Sequence, residues 1–263
     1  LLLIANIVII YFSSFKNGIP TCNNYVVNVY LYLALFIILY YLFTRLQNKL
    51  MFKKDKQKNL LTSEETFETT KKYSTIYFFS SLFIIIILIF NPIPLFFEPS
   101  KYPSSFIYSF FTFTLLLFLF SGMSIGFFKS KQYSKYITEA LQIVFIIFIT
   151  MSYLVYTFPL FFEKSYSYVV PGLLVDLLAS ILFSLINIFT ANSQESFLTF
   201  AKIIAYIGIV IFSIFISYDT SRVFQNEKLC NLQRIPNYPQ ESDIFFLYIL
   251  NIFNKILFIT GNE

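Results

Sequence analysis

The sequence predicts an all-α, polytopic membrane protein with seven transmembrane helices behind a short N-terminal apolar helix. Three observations predict it. Hydrophobic residues make up 57% of the 263 residues and charged residues only 13%, and the mean hydropathy is +0.70, more apolar surface than a soluble domain of this length can bury in one core. The charges are clustered, and the uncharged stretches between clusters reach the roughly 20 apolar residues a helix needs to cross a bilayer. Most basic residues flank these stretches, as membrane anchoring requires.

Residues 1–15, from Leu1 to Phe15, form an apolar run that is short for a full crossing and reads as an eighth, truncated span. A cleaved secretory signal fits poorly, since no basic region precedes the run and no small-residue cleavage site follows it. Spans are expected near 25–44, 74–96, 105–128, 137–158, 168–190, 200–217 and 244–260. The fifth contains Asp176, the sixth starts at Lys202 and ends just before Asp219, and the seventh is short and contains Lys255. The chain thus divides into an N-terminal extension, 1–24, and a seven-helix membrane domain, 25–263. Between the first two spans, residues 45–73 are a charged linker. Within it Thr62-Ser63-Glu64-Glu65 reads either as the start of a short amphipathic helix, with Thr62 as N-cap and Glu65 as its capping-box partner, or as a solvated hinge.

Gly122-Met-Ser-Ile-Gly126 is a small-xxx-small pattern that lets two helices approach closely, although such pairs also arise by chance. The aromatic excess, 36 Phe and 20 Tyr without a Trp, is expected to serve as lipid-facing bulk and interfacial belt. Tyr25, Tyr30, Tyr32, Tyr40 and Tyr41 and Phe110, Phe111 and Phe113 are its densest groups.

With seven spans, 45–73, 129–136, 191–199 and the C-terminus share one face of the membrane, which collects eleven loop Lys and Arg against six on the other. That face is expected to be the matrix, or the cytoplasm of a bacterium. Cys22 and Cys230 then both fall on the opposite, more oxidising side, where a disulfide between them is allowed.

The chain has no His and two Cys. Imidazole-held haem, ordinary zinc and copper sites, His-based triads and cysteine-only clusters are therefore excluded within it. Neither G-x-x-x-x-G-K-[ST] nor G-x-G-x-x-G occurs, so nothing cradles a nucleotide phosphate. No cofactor, no metal and no enzymatic activity are expected. The net charge of +5 sits beside apolar runs, which favours lipid over nucleic acid as its partner.

Toward the C-terminus one stretch stands out. Tyr206-Ile-Gly-Ile-Val-Ile-Phe-Ser leads into Tyr218-Asp219-Thr220, followed by the basic Arg222, so a carboxylate closes an apolar run. Leu250-Asn251-Ile252-Phe253 lies in a second run, and Val29-Tyr30-Leu31-Tyr32-Leu33-Ala34 opens the first span. Together these resemble the transmembrane Bax-inhibitor-motif family, closest to its mitochondrial inner-membrane branch. The motifs are specific over about 203–257. The resemblance implies a seven-helix fold over about 25–263. It also implies a pair of aspartates, one closing the sixth helix and one in the seventh, that share a proton and gate a cation leak, usually of calcium. Two carboxylates at close range cannot both ionise cheaply, which is what makes such a pair a switch. Asp219 takes the first position. With Asn251 on the family's Asn, the second falls on Tyr248, which carries no charge at neutral pH. The pair is broken, and the phenol is left able only to hydrogen-bond the Asp219 carboxylate.

Other polar positions have two readings each. Asp176 is an ion-path candidate, or a carboxylate near a helix N-terminus, favoured by the dipole and reaching interfacial water. Lys255 either snorkels to the surface or pairs with Asp176 or Asp219. Arg222, three residues after Asp219, shares its face if the helix continues and can then pair with it.

The abundance of Phe, Tyr, Ile, Asn and Lys follows AT-rich codons, and the first residue is Leu, as with an unusual initiator or a processed end. A mitochondrial gene fits this, as does an AT-rich nuclear or bacterial one. The expected function is that of a non-catalytic accessory subunit of a respiratory-chain complex in the mitochondrial inner membrane, in contact with other membrane subunits and lipids. The alternatives are a calcium or proton leak channel using Asp219, and a proton-translocating core subunit of the NADH dehydrogenase, for which mid-span charges are too few.

Overall fold

The computed structural model describes residues 2–51, 104–129, 135–158, 171, 175, 194–233 and 236–261. In chain order the elements are α1 (Leu2–Ser14), strands β1 (Phe15–Lys16) and β2 (Ile19–Pro20), α2 (Tyr25–Met51), α3 (Ser104–Lys129), α4 (Ile137–Thr157), α5 (Gln194–Gln233) and α6 (Tyr238–Gly261). The expected spans near 74–96 and 168–190 and the capping box at Thr62 lie outside the described residues, apart from Pro171 and Val175. Among the described residues four helices are long and apolar enough to cross a membrane: Tyr25–Lys49, Ile137–Thr157, Ala201–Cys230 and Tyr238–Gly261. The protein is a multi-pass, predominantly helical membrane protein.

Two expectations change. The chain is not purely helical, because a two-stranded hairpin pairs Phe15 with Pro20 and Lys16 with Ile19. Its turn is Asn17-Gly18, with φ of 55° and 78°. A two-residue turn with both central residues at positive φ matches the right-handed twist of the strands, and Asn-Gly tolerates it best. The sixth span also does not end at 217. Helix α5 continues through Asp219 to Gln233, since residues 209–235 contain neither Gly nor Pro to stop it. Most of the stretch expected as a loop, 218–243, is helix.

The described chain forms two compact units. The first comprises residues 1–134 with 226–246. Here α2 buries Tyr25, Val29, Tyr32, Leu33 and Phe36, the spacing of one helix face. Phe36 meets Phe113 of α3 at 4.6 Å between ring centroids, and Tyr32 meets Phe106 at 5.7 Å and Tyr238 at 5.9 Å. Tyr25, Tyr32 and Phe113 are therefore core, not the lipid-facing bulk expected of them, because their face of the helix is the one packed on aromatic neighbours. Tyr41 and Phe111, on other faces, are exposed. Ser242 Oγ donates to the Val29 carbonyl at 2.7 Å, Tyr238 Oη donates to the Thr21 carbonyl, and Asn226 Nδ2 donates to Glu241 Oε1 at 2.8 Å.

The second unit comprises residues 135–225 with 247–263. Ala140, Val144 and Val155 of α4, Ala205, Phe212, Phe215 and Ile216 of α5, and Ile252, Phe253, Ile256 and Leu257 of α6 are buried in it. Ser217 Oγ donates to the Met151 carbonyl at 3.5 Å, joining α5 to α4.

Candidate functional site

Asp219 lies in the second unit, in the middle of a helix and not at its end, and is only 4% exposed. A buried carboxylate is costly unless its oxygens are paired, and here each has a donor. Tyr248 of α6 donates its Oη to Oδ2 at 2.6 Å. Arg222 brings Nη1 to 3.4 Å from Oδ1. The helix continues past Asp219, so positions three apart fall on one face and the guanidinium folds back over the acid. Arg222 keeps 37% of its side chain exposed against 6% for Asp219, so the cluster opens outward on the guanidinium side.

Tyr248 is held by its ring. Phe215 lies 5.5 Å and Phe212 5.9 Å from it, centroid to centroid. Phe212, Phe215 and Asp219 repeat at three and four residues on α5, so the face that grips the phenol ring also presents the carboxylate to its hydroxyl. Thr220 Oγ1 and Ser213 Oγ donate to the carbonyls of Ile216 and Ile209, each at 2.7 Å, which settles these hydroxyls within the helix.

The family model described as inhibitor of apoptosis-promoting Bax1 matches residues 22–263. The chain belongs to the Bax-inhibitor family. No curated protein and no solved structure matches it.

Within this Bax-inhibitor chain the remaining candidates are dispersed. Lys255 is in the same unit as Asp219, with its Nζ 5.8 Å from the centroid of the Phe212 ring, a cation–π distance. Its methylenes run over Gly208, where an added Cβ would collide with Cδ, Cε and Nζ of the lysine. Gly208 thus makes the slot in which Lys255 lies. The contacts of Gly208, Phe212, Phe215 and Asp219 with Lys255 and Tyr248 make one seam between α5 and α6. Asp176 lies outside the described residues. Gly122 is buried in α3 and Gly126 is in the same helix. Nearby, Tyr40 Oη donates to Ser124 Oγ and Gln47 Nε2 to the Phe118 carbonyl, each at 2.5 Å, joining α2 to α3. Asn251, the register marker, donates its Nδ2 to the Leu247 carbonyl at 2.8 Å.

Cys22 and Cys230 form a disulfide in the first unit, with Cα atoms 5.7 Å apart across a sequence separation of 208. Among the described residues no group of three His, Cys, Asp or Glu could hold a metal ion.

The sequence reading marked Gly208 and Phe212 only as part of the Tyr206–Ser213 motif, with no role, and passed over Phe215, whose only signal is a spacing shared with every amphipathic helix. It also passed over Asn28, fully buried, whose Nδ2 donates to the carbonyls of Asn23 at 2.9 Å and Ser13 at 3.3 Å.

Proposed function

We propose that this Bax-inhibitor-family chain is a non-conducting accessory subunit of a respiratory-chain complex in the mitochondrial inner membrane, encoded in the organelle, of the family's mitochondrial branch and with seven spans. The observation that carries the reading is the pairing of Asp219. A proton-sharing switch needs a second carboxylate opposite the first, and among the described residues Asp219 meets a phenol and a guanidinium from its own chain. The negative charge is compensated internally, and what remains is a packed, neutralised seam suited to holding helices together. The AT-rich composition and the lack of redox ligands support a structural role in an organelle assembly. Other membrane subunits and lipids are its partners.

Native-gel analysis of the solubilised membranes tests the host: the chain is expected to migrate with a respiratory complex, and migration alone defeats the accessory-subunit reading. A cation leak through Asp219 is the competing reading, favoured by a buried carboxylate on a membrane helix, which is expensive to hold there. The purified chain in calcium-loaded liposomes separates the two. Flux no greater than that of empty vesicles is expected. Flux that Asp219→Asn abolishes establishes the channel.

A further inference from the structure

Helix α1 lies outside the residues that the family model matches, and its surface is the reverse of that of a water-borne helix. Its 13 residues contain one amide, Asn6, and this side chain is turned inward. Asn6, Ile10 and Ser14, spaced by four, are the buried line, and the helix packs along α2. The large apolar side chains point out: Phe12 is 77% exposed, Leu2 70% and Ile4 66%, with Ile7, Val8 and Ile9 also exposed. In water the apolar stripe turns in and the polar face out. Polar-in and apolar-out is the pattern of a helix whose solvent is hydrocarbon.

The C-terminal end of α1 is fixed. Ser13 Oγ donates to Asn28 Oδ1 at 2.6 Å, and the Thr21 backbone N–H donates to the Ser14 carbonyl at 2.9 Å. These bonds set it beside the first turn of α2, where the crossing Tyr25–Lys49 begins. The exposed Lys16 and Asn17 of the hairpin are at the same end, where headgroups and water can receive them. From there α1 runs back along α2. Thirteen residues at about 1.5 Å each carry Leu2 about 20 Å from that end, a depth within a hydrocarbon core of about 30 Å. We propose that α1 is inserted in lipid, its outward face occupied by acyl chains, with Phe12 shallow and Leu2 and Ile4 deep.

The chain has no Trp, so Phe12→Trp and Ile4→Trp each carry a sole indole at an exposed site that need not disturb packing. The full-length variants are reconstituted in phosphatidylcholine vesicles brominated either near the headgroup or near the chain ends. Retention of the Cys22–Cys230 crosslink on a non-reducing gel certifies the fold, and Tyr11→Trp replaces Phe12→Trp if that variant fails. Lipid bromine is expected to quench both indoles, Phe12→Trp more from the shallow position and Ile4→Trp more from the deep one, with no loss on adding iodide to the water. Quenching by iodide overturns the proposal. Quenching by neither agent also overturns it, placing protein over the face, and a reversed depth order overturns the orientation.

Discussion

Tyr248 does two jobs with one side chain. Its hydroxyl satisfies one oxygen of Asp219, and its ring fills the space beside Phe212 and Phe215. Tyr248→Phe keeps the ring and removes the donor, which leaves a buried carboxylate oxygen without it and is expected to cost about 1–3 kcal/mol. Thermal unfolding of the purified protein in detergent reads this directly, and an unchanged midpoint would mean that the hydroxyl contributes nothing to folding. Arg222→Leu in the same assay is expected to shift the midpoint less, because a third of the guanidinium side chain is exposed and its attraction is weakened by solvent. Asp219, Arg222 and Tyr248 were legible in the sequence, since a three-residue offset on one helix and a motif register are both written along the chain. The contacts of Phe212, Phe215 and Gly208 were not, because they depend on which helix lies opposite, and periodicity does not encode partners.

At the scale of elements, local chemistry was present but unequally read. Asn17-Gly18 is a strong hairpin signal, hidden because its strands are only two residues long. Helix α5 was cut short because hydropathy falls after Ser217, although backbone propensity does not. Helical hydrogen bonding continues through polar residues as long as nothing breaks it. The α5–α6 seam depends on one missing side chain. Gly208→Leu places bulk where Lys255 lies, and overpacking of this kind is expected to cost about 1–3 kcal/mol. Adding Lys255→Ala should recover part of the loss, because the two changes share one slot and so couple. Additive losses in a double-mutant cycle would show that the contact is not what the substitution disturbs.

For the whole molecule, composition alone was enough to predict helices crossing a membrane, and residues near 203–257 were enough to suggest the family. Composition could not divide the described chain into two compact units, because that depends on long-range pairing. The disulfide closes one such pairing, across a separation of 208. Cys230→Ser is expected to abolish the mobility difference between reduced and non-reduced protein and to lower stability by about 2–5 kcal/mol. Identical mobilities in the unaltered protein would contradict the bridge outright.

That bridge also orders events in time. Cys22 is made first, and its partner follows 208 positions later. Until then the segment between the hairpin and α2 has no covalent tether to α5. Capture of Cys22 by a maleimide during synthesis therefore distinguishes chains that still lack Cys230 from chains that have it, and protection at that one sulfur marks the moment when the C-terminal part of α5 has reached it.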